Sequence, residues 1–498
     1  MAMLNKDISY KLLKSVVSRA NSIAPSRCRQ AQRAMFNAGT TTNFPPVANK
    51  NNVTNATENG GDKIFDFDDT KALFASVSTP KLLHSATILN FSAVESMVDL
   101  SIWLMNSKLM DYALFRKAVL GGVKYTAYDH FVAGGDTVET GKTVLKLWNS
   151  GLRGMLDYGL EHANDNESCD KATKQLMKTI DSTQSLPPTS VSFVAVKVTA
   201  ICPVYLLRRV SDHLRWEYKN SSCKLPWKQQ TLPIFSETSP FYHTLQQPAP
   251  LTADEEKDLE LSHQRLMTLC DRSFENNVPI VIDAEDTSIQ PAIDYLNYWA
   301  SVKYNESSRP MVYGTIQAYL KDSGDRMALT KKAADKMGLP LGFKLVRGAY
   351  MSSERKLAHS LGVESPIHET LLDSHNCYNR CASFMLDEVS DRPGGLILAT
   401  HNLDSGSLAA QKARQHGITK ESQKLEFASL YGMAEAMTFG LRNAGFGVSK
   451  YLPFGPVDEI MPYLLRRAEE NKGLLSSSNL DRELMVKELK RRVKTCFG

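Results

Sequence analysis

Residues Val278-Pro-Ile-Val-Ile-Asp-Ala284 decide the fold. The run is apolar and rich in β-branched side chains, too short for a core helix, and it ends on an acid. Those features describe a strand buried on both faces, the kind found in parallel sheets. Working outward, seven further runs have the same character: Gly154 to Gly159, Phe193 to Ala200, Pro310 to Gln317, Gly342 to Gly348, Gly395 to His401, Leu425 to Tyr431 and Lys450 to Phe454. Helical patterns alternate with them. Eight strands with intervening helices predict an α/β fold, a distorted (βα)8 TIM-type barrel closed on itself rather than an open sheet. In such a barrel the chemistry gathers at the C-terminal ends of the strands.

Around the barrel the chain divides further. Residues 1–36 carry seven Lys or Arg among many Ser and Ala, with Leu12, Leu13, Val16 and Val17 available to one helical face, the composition of a mitochondrial or plastid import leader. A secretory signal would need an unbroken apolar stretch, and Lys11 and Lys14 interrupt the only candidate; a basic tail without a fold is the plainer alternative. Residues 37–63 read as linker, and residues 64–150 as an N-terminal helical arm with apolar residues recurring at three and four. The barrel is expected over 151–475. Within it, the Pro-rich stretch 220–251 forbids long elements and forms a loop insertion, and residues 476–498 form a C-terminal helix.

At 498 residues the chain has length for one large barrel with additions. Its net charge of +5 is modest, and eight Lys or Arg against one acid within the first 50 residues account for it, so a nucleic-acid partner is not indicated. The eight cysteines form no CxxC pairs and lack His at ligand spacing, which argues against structural zinc and against a secreted disulfide framework. No apolar run approaches the roughly 20 residues of a membrane span.

The polar residues at the strand ends are Lys197, Asp283, Gln317, Arg347, His401 with Asn402, and Tyr451; the helix after the last strand adds Tyr463, Arg466, Arg467 and Glu470. This set suits an anionic substrate together with a large polar cofactor. Tyr463 stands at i−3 and i−4 from the two arginines, so the three can converge on one small acid. A solvated Arg-Arg pair beside Glu469 and Glu470 explains the same spacing. Lys197 lies in the apolar run Val194-Ala-Val-Lys-Val-Thr-Ala200 and needs an anion, with Asp283 on the neighbouring strand as the natural partner. A structural ion pair, or an amine nucleophile of a Schiff-base aldolase, would place a lysine there too. The nearest glycine cluster, Gly445-Phe-Gly447, lacks a third Gly and opens no helix after a strand, so a classical dinucleotide fold is not supported.

The segments Lys344-Leu-Val-Arg-Gly-Ala-Tyr350, Thr400-His-Asn402 and Tyr463-Leu-Leu-Arg-Arg467, with Val281-Ile-Asp-Ala-Glu285 and Thr315-Ile-Gln317, resemble the proline dehydrogenase family, most closely its plant mitochondrial members. The resemblance covers roughly residues 65–495. It implies a barrel that binds FAD noncovalently and oxidises L-proline to Δ1-pyrroline-5-carboxylate, passing electrons to a membrane quinone from the matrix side of the mitochondrial inner membrane. By the same resemblance the proline carboxylate meets Arg466, Arg467 and Lys197; Tyr451, Tyr463 and Leu430 wall the ring; and Asp283 pairs with Lys197. For FAD it implicates Gln317, Lys344, Arg347, Gly348, Thr400, His401, Asn402 and Glu470. Lys344 stands where bacterial members often carry Arg. Tyr451 implies proline itself, because the matching position tends to be small in enzymes that oxidise hydroxyproline.

Overall fold

A computed structural model describes residues 64–92, 99, 102–105, 107–306, 309–473 and 475–497, without the side chains at 92, 462, 468–478, 496 and 497. The expected import leader and linker, residues 1–36 and 37–63, lie outside the described residues, as does the side chain of Glu470.

Eight strands, β1 (Arg153–Tyr158), β2 (Val191–Val196), β3 (Ile280–Ile282), β4 (Val312–Gln317), β5 (Leu341–Val346), β6 (Gly394–Ala399), β7 (Leu425–Leu430) and β8 (Val448–Phe454), close into one barrel in sequence order. Every neighbouring pair is parallel, and β8 returns to β1 with Met155 beside Tyr451. Successive strand residues point to opposite faces, so alternate side chains fill the interior. Met155, Phe193, Ala195, Val281, Tyr313, Ile397 and Ala428 form that inner cluster. Gly342 and Gly395 are required there because a Cβ on either would overlap the Tyr313 ring.

Helices alternate with the strands on the outside. The arm contributes α1 (Thr79–Ser92), α2 (Ala113–Val123) and α3 (Thr137–Asn149), and the barrel adds α4 (Asn166–Ser182), α5 (Val204–Lys219), α6 (Ala253–Glu275), α7 (Gln290–Tyr304) and α8 (Ser323–Lys336). After them come α9 (Met351–Leu361), α10 (Leu371–Asp391), α11 (Leu403–Gln415), α12 (Glu435–Asn443), α13 (Val457–Gly473) and α14 (Leu475–Phe497). Local chemistry sets several of these ends. Thr252 with Glu255, and Thr370 with Asp373, form reciprocal capping boxes at the starts of α6 and α10.

The Pro-rich stretch between α5 and α6 is pinned to the barrel's outer helices. Trp299 donates to Gln229 at 2.6 Å, Ser239 donates to Asp322 at 2.7 Å, and Trp227 packs edge-on to Tyr295. Helix α14 returns to pack against α1, closing the arm onto the C-terminus.

Candidate active site

The strand order brings the C-terminal ends of β1, β2, β3, β5 and β8 around one mouth, where six charged groups meet. Lys197, just past the end of β2, donates to Asp157 at 2.5 Å and lies 3.9 Å from both Glu161 and Asp283. Asp283 contacts Lys344 on one oxygen and accepts from the Tyr451 hydroxyl at 2.7 Å on the other. Lys344 also stands over the Tyr451 ring, 5.3 Å from its centre. Arg466 on α13, the helix that follows the neighbouring β8, grips Glu161 with two bonds of 2.6 and 3.0 Å.

Three carboxylates and three cations thus share a largely buried cluster, in which burial, with Asp283 and Glu161 nearby, raises the Asp157 carboxyl above the ordinary value despite Lys197. Burial works against a charged Lys197, but Asp157, Glu161 and Asp283 outweigh it and raise its pKa above the ordinary lysine value. Burial likewise opposes ionisation of Asp283 and Glu161, yet the cations beside them hold both carboxyls below the usual range. Tyr451 is pushed well above the ordinary phenol value by burial and by Asp157 and Asp283, so it stays neutral and keeps its proton to donate. Tyr350, at the start of α9, is raised by burial and by Glu285 and Glu161.

Lys197 does pair with Asp283, at 3.9 Å, but Asp157, which the sequence reading did not single out, is its closer partner at 2.5 Å. Asp157 points inward two residues beyond Met155, and the β1–β2 pairing puts it beside Ala195. Asp283, one strand further round, leans to Lys344. Sequence reasoning also missed Glu161, Tyr350 and Glu285. The alternation of β1, read from Met155, could have found Asp157; Glu161 lies in an irregular loop with no periodic signal.

The remaining expected residues fall into two groups. Leu430 and Tyr463 share an apolar cluster at the rim with Tyr128, Ile460 and Leu464, and the buried Arg467 lies over the Tyr463 ring at 5.3 Å. On the other side of the mouth, Arg347 donates to His375 at 2.8 Å, Thr400 at 2.8 Å and Ser405 at 2.7 Å, and stacks on Tyr378. These partners are all neutral, and burial lowers its pKa from the ordinary arginine value. Asn402 caps α11 by accepting from Ser405 N, so the positive end of that helix faces Arg347. His401 accepts from Leu430 N through Nε2 at 3.1 Å, which puts its proton on Nδ1; burial, Lys450 and Arg467 lower its pKa to about 3. Gln317 donates to the Glu285 carbonyl at 2.8 Å. Gly348 adopts φ 137° and lies where a Cβ would overlap the Tyr319 ring, so only Gly fits.

A closed parallel barrel that gathers such a cluster of charged groups at the C-terminal ends of its strands has the architecture of a (βα)8 enzyme. Comparison with known proteins makes the class specific. The family model described as proline dehydrogenase matches residues 140–480. Proline dehydrogenase 2, mitochondrial, of Arabidopsis thaliana is 54% identical over 431 residues, covering 86% of this chain and 90% of that protein. Hydroxyproline dehydrogenase of Bos taurus is 31% identical over 74% of this chain and 82% of its own length. Among solved structures, proline utilization A from Bdellovibrio bacteriovorus inactivated by N-propargylglycine superposes with a TM-score of 0.57 at 19% identity, over 86% of this chain but only 41% of that longer one, a likeness of fold. The chain belongs to the proline dehydrogenase family.

Proposed function

We propose that this enzyme is an FAD-dependent L-proline dehydrogenase of mitochondria that forms Δ1-pyrroline-5-carboxylate and hands its electrons to a membrane quinone at the inner-membrane surface, as the first step of proline catabolism. The observation that carries the reading is that Arg466 and Lys197, from the two elements that flank β1, already converge on one carboxylate, that of Glu161. A substrate carboxylate needs the same pair of donors, with Arg467 buried beside them. Relatives named as mitochondrial proline dehydrogenases support the substrate and the compartment.

The residues present fit FAD. Arg347, held by neutral partners next to the N-terminus of α11, offers a cation and helix N–H groups to a pyrophosphate. Thr400, His401 and Asn402 follow on the same edge, and Gln317, Lys344 and Gly348 stand on the neighbouring strands β4 and β5 and just beyond them. Bound FAD would supply the oxidant, its N5 accepting the hydride released from C5 of proline. The chain's own part is to fix geometry. The arginines and Lys197 hold the carboxylate, while Tyr451, Tyr463 and Leu430 confine the pyrrolidine ring, and such positioning contributes several kcal/mol toward the barrier, on the order of 7–11 in well-oriented systems.

An aldolase reading of Lys197 is disfavoured. A Schiff-base lysine must be available as a neutral amine, whereas three acids hold this one protonated. Anaerobic addition of proline to the purified yellow protein is expected to bleach its flavin absorbance. A colourless protein, or one trapped covalently at Lys197 by borohydride, would overturn the proposal.

A further inference from the structure

Between α1 and α3 the arm presents an apolar surface that the described chain covers only in part, Phe115, Val119, Leu120 and Val123 being half-buried. Helix α2 reads Ala-Leu-Phe-Arg-Lys-Ala-Val-Leu-Gly-Gly-Val, nine of eleven residues apolar or Gly, and none of them is buried. The flanking chain continues the surface. Leu114 is 87% exposed, Tyr125 79%, Tyr112 69% and Trp103 59%. Lys108, Lys117 and Lys124 are exposed along the same stretch, and Asp111 is the sole acid among the described residues from 102 to 128. Arg116 turns instead to Asp458 at 3.4 Å.

The segment is nonetheless anchored. It runs into a π-helical turn, Lys124–Tyr128, whose Tyr128 is buried against Ile460, Tyr463 and Leu464 and donates to the Gly455 carbonyl at 2.7 Å. The exposed face is therefore fixed next to the helix that carries Arg466 and Arg467.

We infer that residues 103–125 form a docking surface for an anionic lipid bilayer. Trp and Tyr are the residues of the membrane–water interface, and an apolar helix with basic neighbours lies in its plane. Lysines at the rim gain from an anionic leaflet. The core of a protein–protein interface, by contrast, is depleted of lysine. Seated this way, the arm would hold the bilayer contact next to α13, the helix that carries Arg466 and Arg467. The inference rests on the proposed delivery of electrons to a membrane quinone and assigns the surface through which contact is made.

The test uses the full chain in its flavin-loaded form, sedimented with phosphatidylcholine vesicles that contain or lack phosphatidylglycerol. Binding is expected only with the anionic lipid, weakened by salt. Tyr112→Glu with Leu114→Glu should lower partition about tenfold, and Lys117→Glu with Lys124→Glu should lower it without disturbing the apolar face. Both should leave proline-dependent reduction of a soluble dye unchanged. Leu371→Glu with Leu372→Glu, exposed elsewhere, should bind as wild type. Wild-type protein that ignores anionic vesicles, variants that bind equally well, or variants that change only the oligomeric state in vesicle-free solution would overturn the inference. Loss of the proposed activity is read separately, by dye reduction in wild-type protein without vesicles.

Discussion

Arg466 carries the sharpest prediction at the scale of single residues. Its two bonds to Glu161 are charge-assisted, worth about 1.5–3 kcal/mol each, and a substrate carboxylate would take them over. Arg466→Ala should raise the proline KM at least about tenfold with a smaller change in kcat, measured by steady-state kinetics. Arg466→Lys should recover only part of that, because an ammonium cannot make the paired contact. Tyr451 makes a different prediction. Its ring sits under Lys344 and its hydroxyl donates to Asp283, so the side chain is held in place from both ends. Tyr451→Ser should open space beside the substrate ring, weaken proline binding and narrow the preference for proline over 4-hydroxyproline, read as the ratio of the two kcat/KM values. An unchanged ratio would remove Tyr451 from substrate choice.

Whole elements answer to different forces. Helix α14 is locked to the arm through Glu488, a buried carboxylate that accepts from Thr70, Arg491 and Arg492, while Arg492 also donates to the carbonyls of Phe74 and Val77. Bonds from Arg491, Arg492 and Thr70 outweigh burial and lower its pKa to about 2. A carboxyl held below its unfolded value contributes stability that is present at neutral pH and lost as pH falls from the ordinary carboxylate range toward about 2. Protection of α14 amides from hydrogen exchange should drop in that window, and Glu488→Ala should cost about 2 kcal/mol at neutral pH by leaving two arginines without their acceptor. The elements were also the most legible part of the sequence. Strands buried on both faces announce themselves as apolar runs, and all eight positions are visible that way. Their ends are less so: β2 stops at Val196 because the chain turns into the short helix Val198–Ile201, and β3 pairs over only three residues after Pro279. The cations of the site were legible because a lysine or an arginine pair in an apolar setting demands an explanation. Their partners Asp157 and Glu161 were not, since which acid meets which base depends on strand neighbours and loop course.

At the scale of the whole molecule, the barrel separates two buried ion-pair clusters by the length of its strands. The upper one, around Lys197, Asp283 and Arg466, lies at the C-terminal ends where the substrate would enter. The lower one closes the floor: Arg153 of β1 makes paired contacts with Glu426 of β7, which also accepts from Ser449 at 2.5 Å, and Ser449 in turn meets Ser192 at 2.7 Å. Gly447 leaves room for this arrangement, as a Cβ there would press on both charged groups. Since the C-terminal face of such barrels carries the chemistry and the N-terminal face carries stability, the two clusters should respond oppositely to charge removal. Glu426→Gln leaves Arg153 buried with no counter-charge and should cost about 3–5 kcal/mol of stability, seen as a lowered melting temperature, while the proline KM stays at the wild-type value. Arg466→Ala should do the reverse, because Glu161 retains Lys197 as a neighbour and the rim stays open to water. A Glu426→Gln variant with an altered KM and an unaltered melting temperature would mean that the floor communicates with the mouth, and the division of labour along the barrel axis would have to be abandoned.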